Sequence, residues 1–184
     1  MAIVCDLAIH EVGCRSLNEF ISTIFGQQKL ALLGIIASKA VFLSNDRFGN
    51  YVVQHAMLLG DKFVALYILR RLQGHFVQLS QVKGASNVVE RCVESSRLGT
   101  CVVVTEILQT PSASYQLAQH PYGNYIIQVA LKQLKKYQIE TLYLHLVEAL
   151  APHFPRLQGN AGGRKILDLI LSGFEIQHQG WPEF

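Results

Sequence analysis

The chain has 184 residues, 16 Lys plus Arg against 13 Asp plus Glu, a formal net charge of +3 and 50% hydrophobic residues. That much apolar material argues against wholesale disorder, and the length suits one domain or an array of small units. So small a charge excludes a polycation that holds nucleic acid mainly by neutralising phosphates.

At the N-terminus, MAIVCDLAIHEVG lacks a basic stretch and meets Asp6 early, which argues against a cleaved signal peptide. The longest apolar runs are short and broken by Gln, Lys, Arg or His, so no membrane-spanning helix is expected. The four cysteines, Cys5, Cys14, Cys92 and Cys101, form no C-x-x-C pair and have no His at metal-ligand spacing. They read as reduced thiols, mostly small core residues, and neither a metal nor a cofactor is expected. No phosphate-binding, dinucleotide, nucleophile-elbow or zinc-protease motif occurs, and the histidines (His10, His55, His75, His120, His145, His153, His178) are scattered. An enzyme is therefore not expected.

Self-comparison is the informative step. Five segments align without gaps: VGCRSLN (12–18), FGNYVVQ (48–54), GASNVVE (84–90), YGNYIIQ (122–128) and GGRKILD (162–168). Taking the third residue of each as an anchor (Cys14, Asn50, Ser86, Asn124, Arg164), the intervals are 36, 36, 38 and 40 residues. Seven residues before every anchor stands a leucine: Leu7, Leu43, Leu79, Leu117 and Leu157. Two and three residues after it come Val52/Val53, Val88/Val89, Ile126/Ile127 and Ile166/Leu167, with Ser16/Leu17 in the first copy.

Taken in chain order, the anchored segments continue at three- and four-residue apolar steps (Val52, Val53, Ala56, Met57; Val88, Val89, Cys92, Val93), the period of an amphipathic helix. Ser44 and Asp46 stand where N-capping oxygens are useful, and Pro121 suits a first helical turn. A second periodic stretch follows: Phe63-Val64-Leu66-Leu69-Leu72, Val102-Val103-Ile107-Leu108 and Ile139-Leu142-Leu146-Val147-Leu150. Gly74, Thr110-Pro111 and Pro152 punctuate their ends. No sustained period-two alternation appears, so no strands are expected. Each unit is thus two substantial helices plus a short one that carries the column leucine. One unit cannot bury its own apolar stripe but stacked neighbours can, which predicts an all-α protein, an α-solenoid of about five repeats of ~36–40 residues. The repeats fall near 1–36, 37–72, 73–110 and 111–150, followed by a closing unit at 151–172 and a tail at 173–184.

Within each copy the anchor and the residue four later share a helix face, and the residue after the anchor borders it about 100° away. Asn50/Gln54 with Tyr51, Ser86/Glu90 with Asn87, and Asn124/Gln128 with Tyr125 form the same kit three times: two edge-seeking polar groups and one flat side chain. Two plainer readings of this pattern are a solvated face and a ladder of carboxamides bonding neighbouring units. The chemistry suits bases. Uracil's edge offers acceptor, donor and acceptor, which carboxamides complement, and guanine's N1–H and N2–H₂ can both donate to a carboxylate such as that of Glu90. A flat side chain one position on can stack between bases.

At these residues the chain resembles the Pumilio (PUF) family of RNA-binding repeat proteins: DRFGNYVVQ, GASNVVERCV and HPYGNYIIQ match that family's repeat signatures from about residue 5 to 172. The resemblance implies a right-handed superhelix whose concave face is lined by the second helix of each repeat. It implies single-stranded RNA bound one base per repeat, antiparallel to the protein. It places this chain at the C-terminal half of the usual eight-repeat array. Asn124/Gln128 would read a 5′ uracil, Ser86/Glu90 the next guanine and Asn50/Gln54 the following uracil, with Tyr125, Asn87 and Tyr51 stacking: a UGU core. The first copy departs from the pattern. Cys14, Arg15 and Asn18 stand where an adenine-reading repeat usually ends in Gln, and Asn is one methylene shorter, so the fourth base is expected to be read weakly or not at all, although Arg15 can still stack. Arg164, Lys165 and Asp168 match no base-reading triplet and resemble the family's closing unit.

The implied role is post-transcriptional regulation of messenger RNA stability or translation in the cytoplasm, with nucleus or nucleolus as alternatives, alongside mRNA decay or translation-repression factors. No membrane partner is implied. With half the usual array absent, the first repeat would expose a face normally covered, which predicts self-association or a packed partner. The competing function is a truncated helical-repeat scaffold for protein interactions with little RNA affinity. A structure-tolerant RNA binder of the ribosome-assembly kind is a third, and the intact triplets speak against it.

Overall fold

The computed structural model describes residues 2–59 and 61–178. Among these every regular element is helical, and the order repeats as short, long, long. The first unit is α1 (Ala2–Ala8), α2 (Gly13–Thr23) and α3 (Gly26–Ser38). The second is α4 (Ala40–Asn45), α5 (Gly49–Leu58) and α6 (Lys62–Leu72). The third is α7 (Phe76–Leu79), α8 (Ala85–Ser95) and α9 (Arg97–Gln109), and the fourth α10 (Ala113–Gln119), α11 (Gly123–Lys136) and α12 (Glu140–Leu150). A 3₁₀ turn at Ala151–His153, α13 (Phe154–Leu157) and α14 (Ala161–His178) close the array. The segment 173–184, expected as a tail, begins as a backbone continuation of α14 through His178, and residues 179–184 lie outside the described residues.

The stacking follows from where the apolar residues fall. Helices α2, α5, α8, α11 and α14 pack side by side in chain order and form one layer. In the other layer α3 lies on α6 and α9 on α12, and each short helix is wedged against the long helices of its own unit. Val52, Val53, Val88, Val89, Ile126 and Ile127 are fully buried between layers. Leu43, Leu79, Leu117 and Leu157 of the leucine column are at most 1% exposed, whereas Leu7 in the first unit is 42% exposed. Each such buried leucine contributes about 1.5–3 kcal/mol.

Neither Ser44 nor Pro121 takes its expected place. Ser44 lies inside α4, and its buried Oγ has no hydrogen-bond partner. Pro121 precedes the start of α11. Asp46 does cap, as described below. One capping interaction spans the third unit: the Glu106 carboxylate on α9 accepts from the backbone N–H groups of Gly74 (2.6 Å), Phe76 (2.7 Å) and Val77 (3.4 Å) at the start of α7. Charged acceptors on orphan helical N–H groups are among the stronger protein hydrogen bonds. Met57 and Cys92 meet across the second and third units, with sulfurs 3.8 Å apart. Burial pushes the Cys92 thiol up to about 12, which makes it a core residue and no nucleophile. All four cysteines are free.

Candidate nucleic-acid interface

The first turn of four of the five helices in the α2–α14 layer is built the same way. Four residues before the anchor stands a cap. His10 Nδ1 accepts from Val12 and Gly13 N–H (3.3 and 3.2 Å), and Asp46 Oδ1 accepts from Phe48 and Gly49 N–H (2.8 and 2.7 Å). His120 Nδ1 accepts from Tyr122 and Gly123 N–H (both 3.2 Å), and Asn160 Oδ1 from Gly163 N–H (2.6 Å). The third unit has Val82 in this place and enters α8 through Gly84 at φ +87°. The residue just before the anchor is glycine in four units because the short helix passes directly beneath it. A methyl group on Gly13, Gly49 or Gly163 would sit 2.6, 2.7 or 2.2 Å from the carbonyl oxygen of Leu7, Leu43 or Leu157, and one on Gly123 would sit 2.8 Å from Leu117 Cδ2. The leucine column and this glycine column are two sides of one contact.

The anchors of the second and fourth units are buried, Asn50 at 2% and Asn124 at 8% exposure. The Asn50 amide donates to the carbonyls of Asp46 (2.9 Å) and Arg47 (3.1 Å), and its Oδ1 accepts from Gln54 Nε2 (2.9 Å). Asn124 donates to His120 O (2.8 Å) and Pro121 O (2.9 Å) and accepts from Gln128 Nε2 (2.8 Å). Only an NH₂ group can serve two carbonyl acceptors, so the amide orientation follows from the geometry. These bonds run within one unit, so they are neither a ladder between repeats nor a solvated face. Each anchor locks its own turn and orients its glutamine. What remains free on Gln54 and Gln128 is the whole Oε1 and one Nε2–H.

Between them in the row comes the Ser86/Glu90 pair on α8. Ser86 is buried, and Glu90 is half-buried. Burial raises the Glu90 carboxyl above its ordinary value, Glu94 one turn on adds to the effect, and Arg91 and Lys132 oppose it. Lys132 lies on α11, four residues beyond Gln128, so the neighbouring unit supplies a compensating cation. Arg91 also bridges to Glu94 at 3.2 Å, an exposed pair of small energetic weight.

Tyr51 (55%) and Tyr125 (52%) are exposed beside their anchors, as are Asn87 and Arg15. The first unit differs. Cys14 is buried and its thiol donates to Glu11 O (3.3 Å), and half-buried Asn18 hides an unpartnered Oδ1. In the last unit Arg164, Lys165 and Asp168 are all exposed, and Arg164 donates to Gln158 O (3.2 Å). The structure therefore places all four candidate triplets in one row on the adjacent helices α2, α5, α8 and α11, with the first differing in its side-chain environment. Sequence reasoning missed the structural duty of the two asparagines. It also missed the caps His10, His120 and Asn160, although all stand at one offset from the anchors and were open to detection there. Among the described residues no group of three or more His, Cys, Asp or Glu could hold a metal ion, and no helix is long and apolar enough to cross a membrane.

Comparison with known proteins agrees with this arrangement. The family model described as Pumilio-family RNA binding repeat matches residues 4–37, 39–61, 75–107 and 114–146. Pumilio homolog 12 of Arabidopsis thaliana is 35% identical over 168 residues, covering 91% of this chain and 27% of that protein. Pumilio homolog 18 of the same plant is 34% identical over 173 residues, 94% of this chain and 52% of the relative. Among solved structures, the Puf4 RNA-binding domain bound to the HO endonuclease RNA 3′ UTR recognition sequence superposes with a TM-score of 0.82 at 28% identity, covering 90% of this chain and 53% of that one. PUF-8 in complex with PBE-RNA shares the fold at a TM-score of 0.79 and 23% identity, covering 93% of this chain and 50% of that one. The chain thus spans between about a quarter and a half of the relatives it matches here. With its period, its paired leucine and glycine columns and four matched repeats, this chain belongs to the Pumilio (PUF) family.

Proposed function

We propose that the chain binds single-stranded RNA selectively, one base per repeat, with a UGU core, and that it acts in post-transcriptional control of messenger RNA. The observation that carries this reading is the Asn–Gln pair with an exposed tyrosine on α5 and α11, flanking Ser86/Glu90 on α8. Each glutamine keeps an acceptor and a donor free, which complements uracil's N3–H and a neighbouring carbonyl. The Glu90 carboxylate accepts from both guanine donors, and Tyr125, Asn87 and Tyr51 provide stacking surfaces. The solved complex of the similar Puf4 domain with a 3′ UTR sequence supports the class of ligand. The first unit contributes little base reading, since the Cys14 thiol is spent on Glu11 O and the Asn18 Oδ1 is buried without a partner, while Arg15 stays exposed.

Three bases at about 1–3 kcal/mol each for edges and about 1–3 for stacking offset an association cost of about 4–15 kcal/mol. The expected affinity is micromolar or weaker, with a shallow salt dependence because few phosphates need be neutralised. Titration of labelled UGU-containing RNA against a UAU control checks the reading: the first should bind at least fivefold tighter, and equal affinities would refute it.

A second reading, as an interaction scaffold, rests on apolar side chains of the first unit. Ile3 (74%), Val12 (63%), Phe20 (54%) and Phe25 (79%) are exposed in it, together with Leu7. On this reading the isolated chain self-associates. Sedimentation velocity should show a concentration-dependent rise in mass that Phe25→Ser together with Ile3→Ser abolishes, and a monomer at every concentration would count against it.

A further inference from the structure

The residues two before each anchor are Val12, Phe48, Gly84, Tyr122 and Gly162. Set against the anchor of the preceding unit, they read Cys14 with Phe48, Asn50 with Gly84, Ser86 with Tyr122, and Asn124 with Gly162. Both carboxamide anchors are followed by glycine, and both small anchors by an aromatic ring. Geometry explains the glycines. A methyl group on Gly162 would sit 2.7 Å from both Cγ and Oδ1 of Asn124, and one on Gly84 would sit 3.0 Å from Nδ2 and 3.3 Å from Cγ of Asn50. Gly84 is also required by its φ of +87°, but Gly162 lies in α14 without a positive φ, so backbone conformation does not account for it.

We infer that Gly162 is a positioning residue for base selection by Asn124 and Gln128, an inference that rests on the RNA-binding reading above. The Asn124 amide is held on one side by two carbonyls, and the Gly162 backbone closes the other. A methyl group there displaces Oδ1, because the tethered Nδ2 cannot retreat, and Gln128 then loses the acceptor that holds it at 2.8 Å. The base selected by a carboxamide triplet is therefore a property of two consecutive units. Exchanging a triplet alone transfers the side chains without the glycine of the next unit that faces Asn50 and Asn124.

The experiment is Gly162→Ala, made in the parent and in Asn124→Ser. Alanine is the better helix former, so a merely structural glycine predicts an unchanged or higher unfolding midpoint and an unchanged base preference. The pairing predicts that uracil preference at the base assigned to Asn124/Gln128 falls about fivefold, one neutral hydrogen bond, while preference at the base assigned to Asn50/Gln54 stays. It further predicts no additional loss in the Asn124→Ser background. In the RNA-free chain the side-chain amide NMR signals of Asn124 and Gln128 should move on Gly162→Ala, and those of Asn50 and Gln54 should not. Unmoved amide signals, or equal losses in both backgrounds, overturn the inference. Moving signals in a chain with no base preference at all uphold the contact and refute the RNA reading, and the specificity role falls with it.

Discussion

Glu90→Gln is expected to move preference at the second base of the core away from guanine, lowering affinity for UGU relative to UUU by about 1–3 kcal/mol, roughly 5- to 150-fold. In the proposed reading the carboxylate would accept from both guanine donors, whereas glutamine offers one acceptor and one donor and suits an edge that alternates the two. Competition titrations with the two RNAs measure it, and an unchanged guanine preference would remove Glu90 from the site. The same substitution has a stability consequence with a definite sign. Burial, then Glu94, hold the Glu90 carboxyl above its ordinary value of 4.5, against Arg91 and Lys132. A raised folded-state pKa means the native chain holds the proton more tightly than the unfolded chain. Its contribution to stability is complete below pH 4.5 and is lost as pH rises through the folded value. At pH 7 the ionised side chain opposes folding, so Glu90→Gln should raise the urea midpoint there, and the gain should vanish below pH 4.5.

Phe76→Ala is expected to cost about 3–5 kcal/mol. Phe76 heads the fully buried side chains by volume, and its N–H is tied to Glu106 at 2.7 Å. It opens the short helix α7, which holds α8 and α9 together. Deleting the ring leaves a cavity in the middle of a stack in which each unit depends on its neighbours. Urea unfolding should therefore show a lower midpoint and a broadened transition as the two halves uncouple. Phe76→Leu, which keeps most of the volume, should lose less than about 1.5 kcal/mol. Equal losses for the two variants would show that the ring's volume is not what the site needs.

Much of this protein was open to reading because its information is repeated. The leucine column, the paired apolar positions after each anchor and the 36–40-residue spacing determined the helical units and their stacking, since a stripe recurring five times can be buried only by its own neighbours. The candidate triplets Asn50/Tyr51/Gln54, Ser86/Asn87/Glu90 and Asn124/Tyr125/Gln128 were legible for the same reason. Helix α3 was not, because GQQKLALLGIIAS is apolar over most of its surface and shows no clear face. Glu106 gave no signal either. It caps a helix that begins 30 residues earlier in the chain, and a contact at that separation leaves no local pattern.

Only the tertiary structure decided how the polar members of each triplet divide their hydrogen bonds. From the sequence, Asn50 and Gln54 are two equal polar groups on one face. In the fold, the short helix passes beneath the anchor and the next unit covers it, so the asparagine spends its donors on its own turn, while the glutamine, half-buried at Gln54 and 7% exposed at Gln128, keeps its Oε1 unspent. Sequence determined the residues and their period, because helical phase is a local property. Burial depends on what lies above and below in the stack, and that is where the different hydrogen-bonding duties of Asn50 and Gln54 were decided.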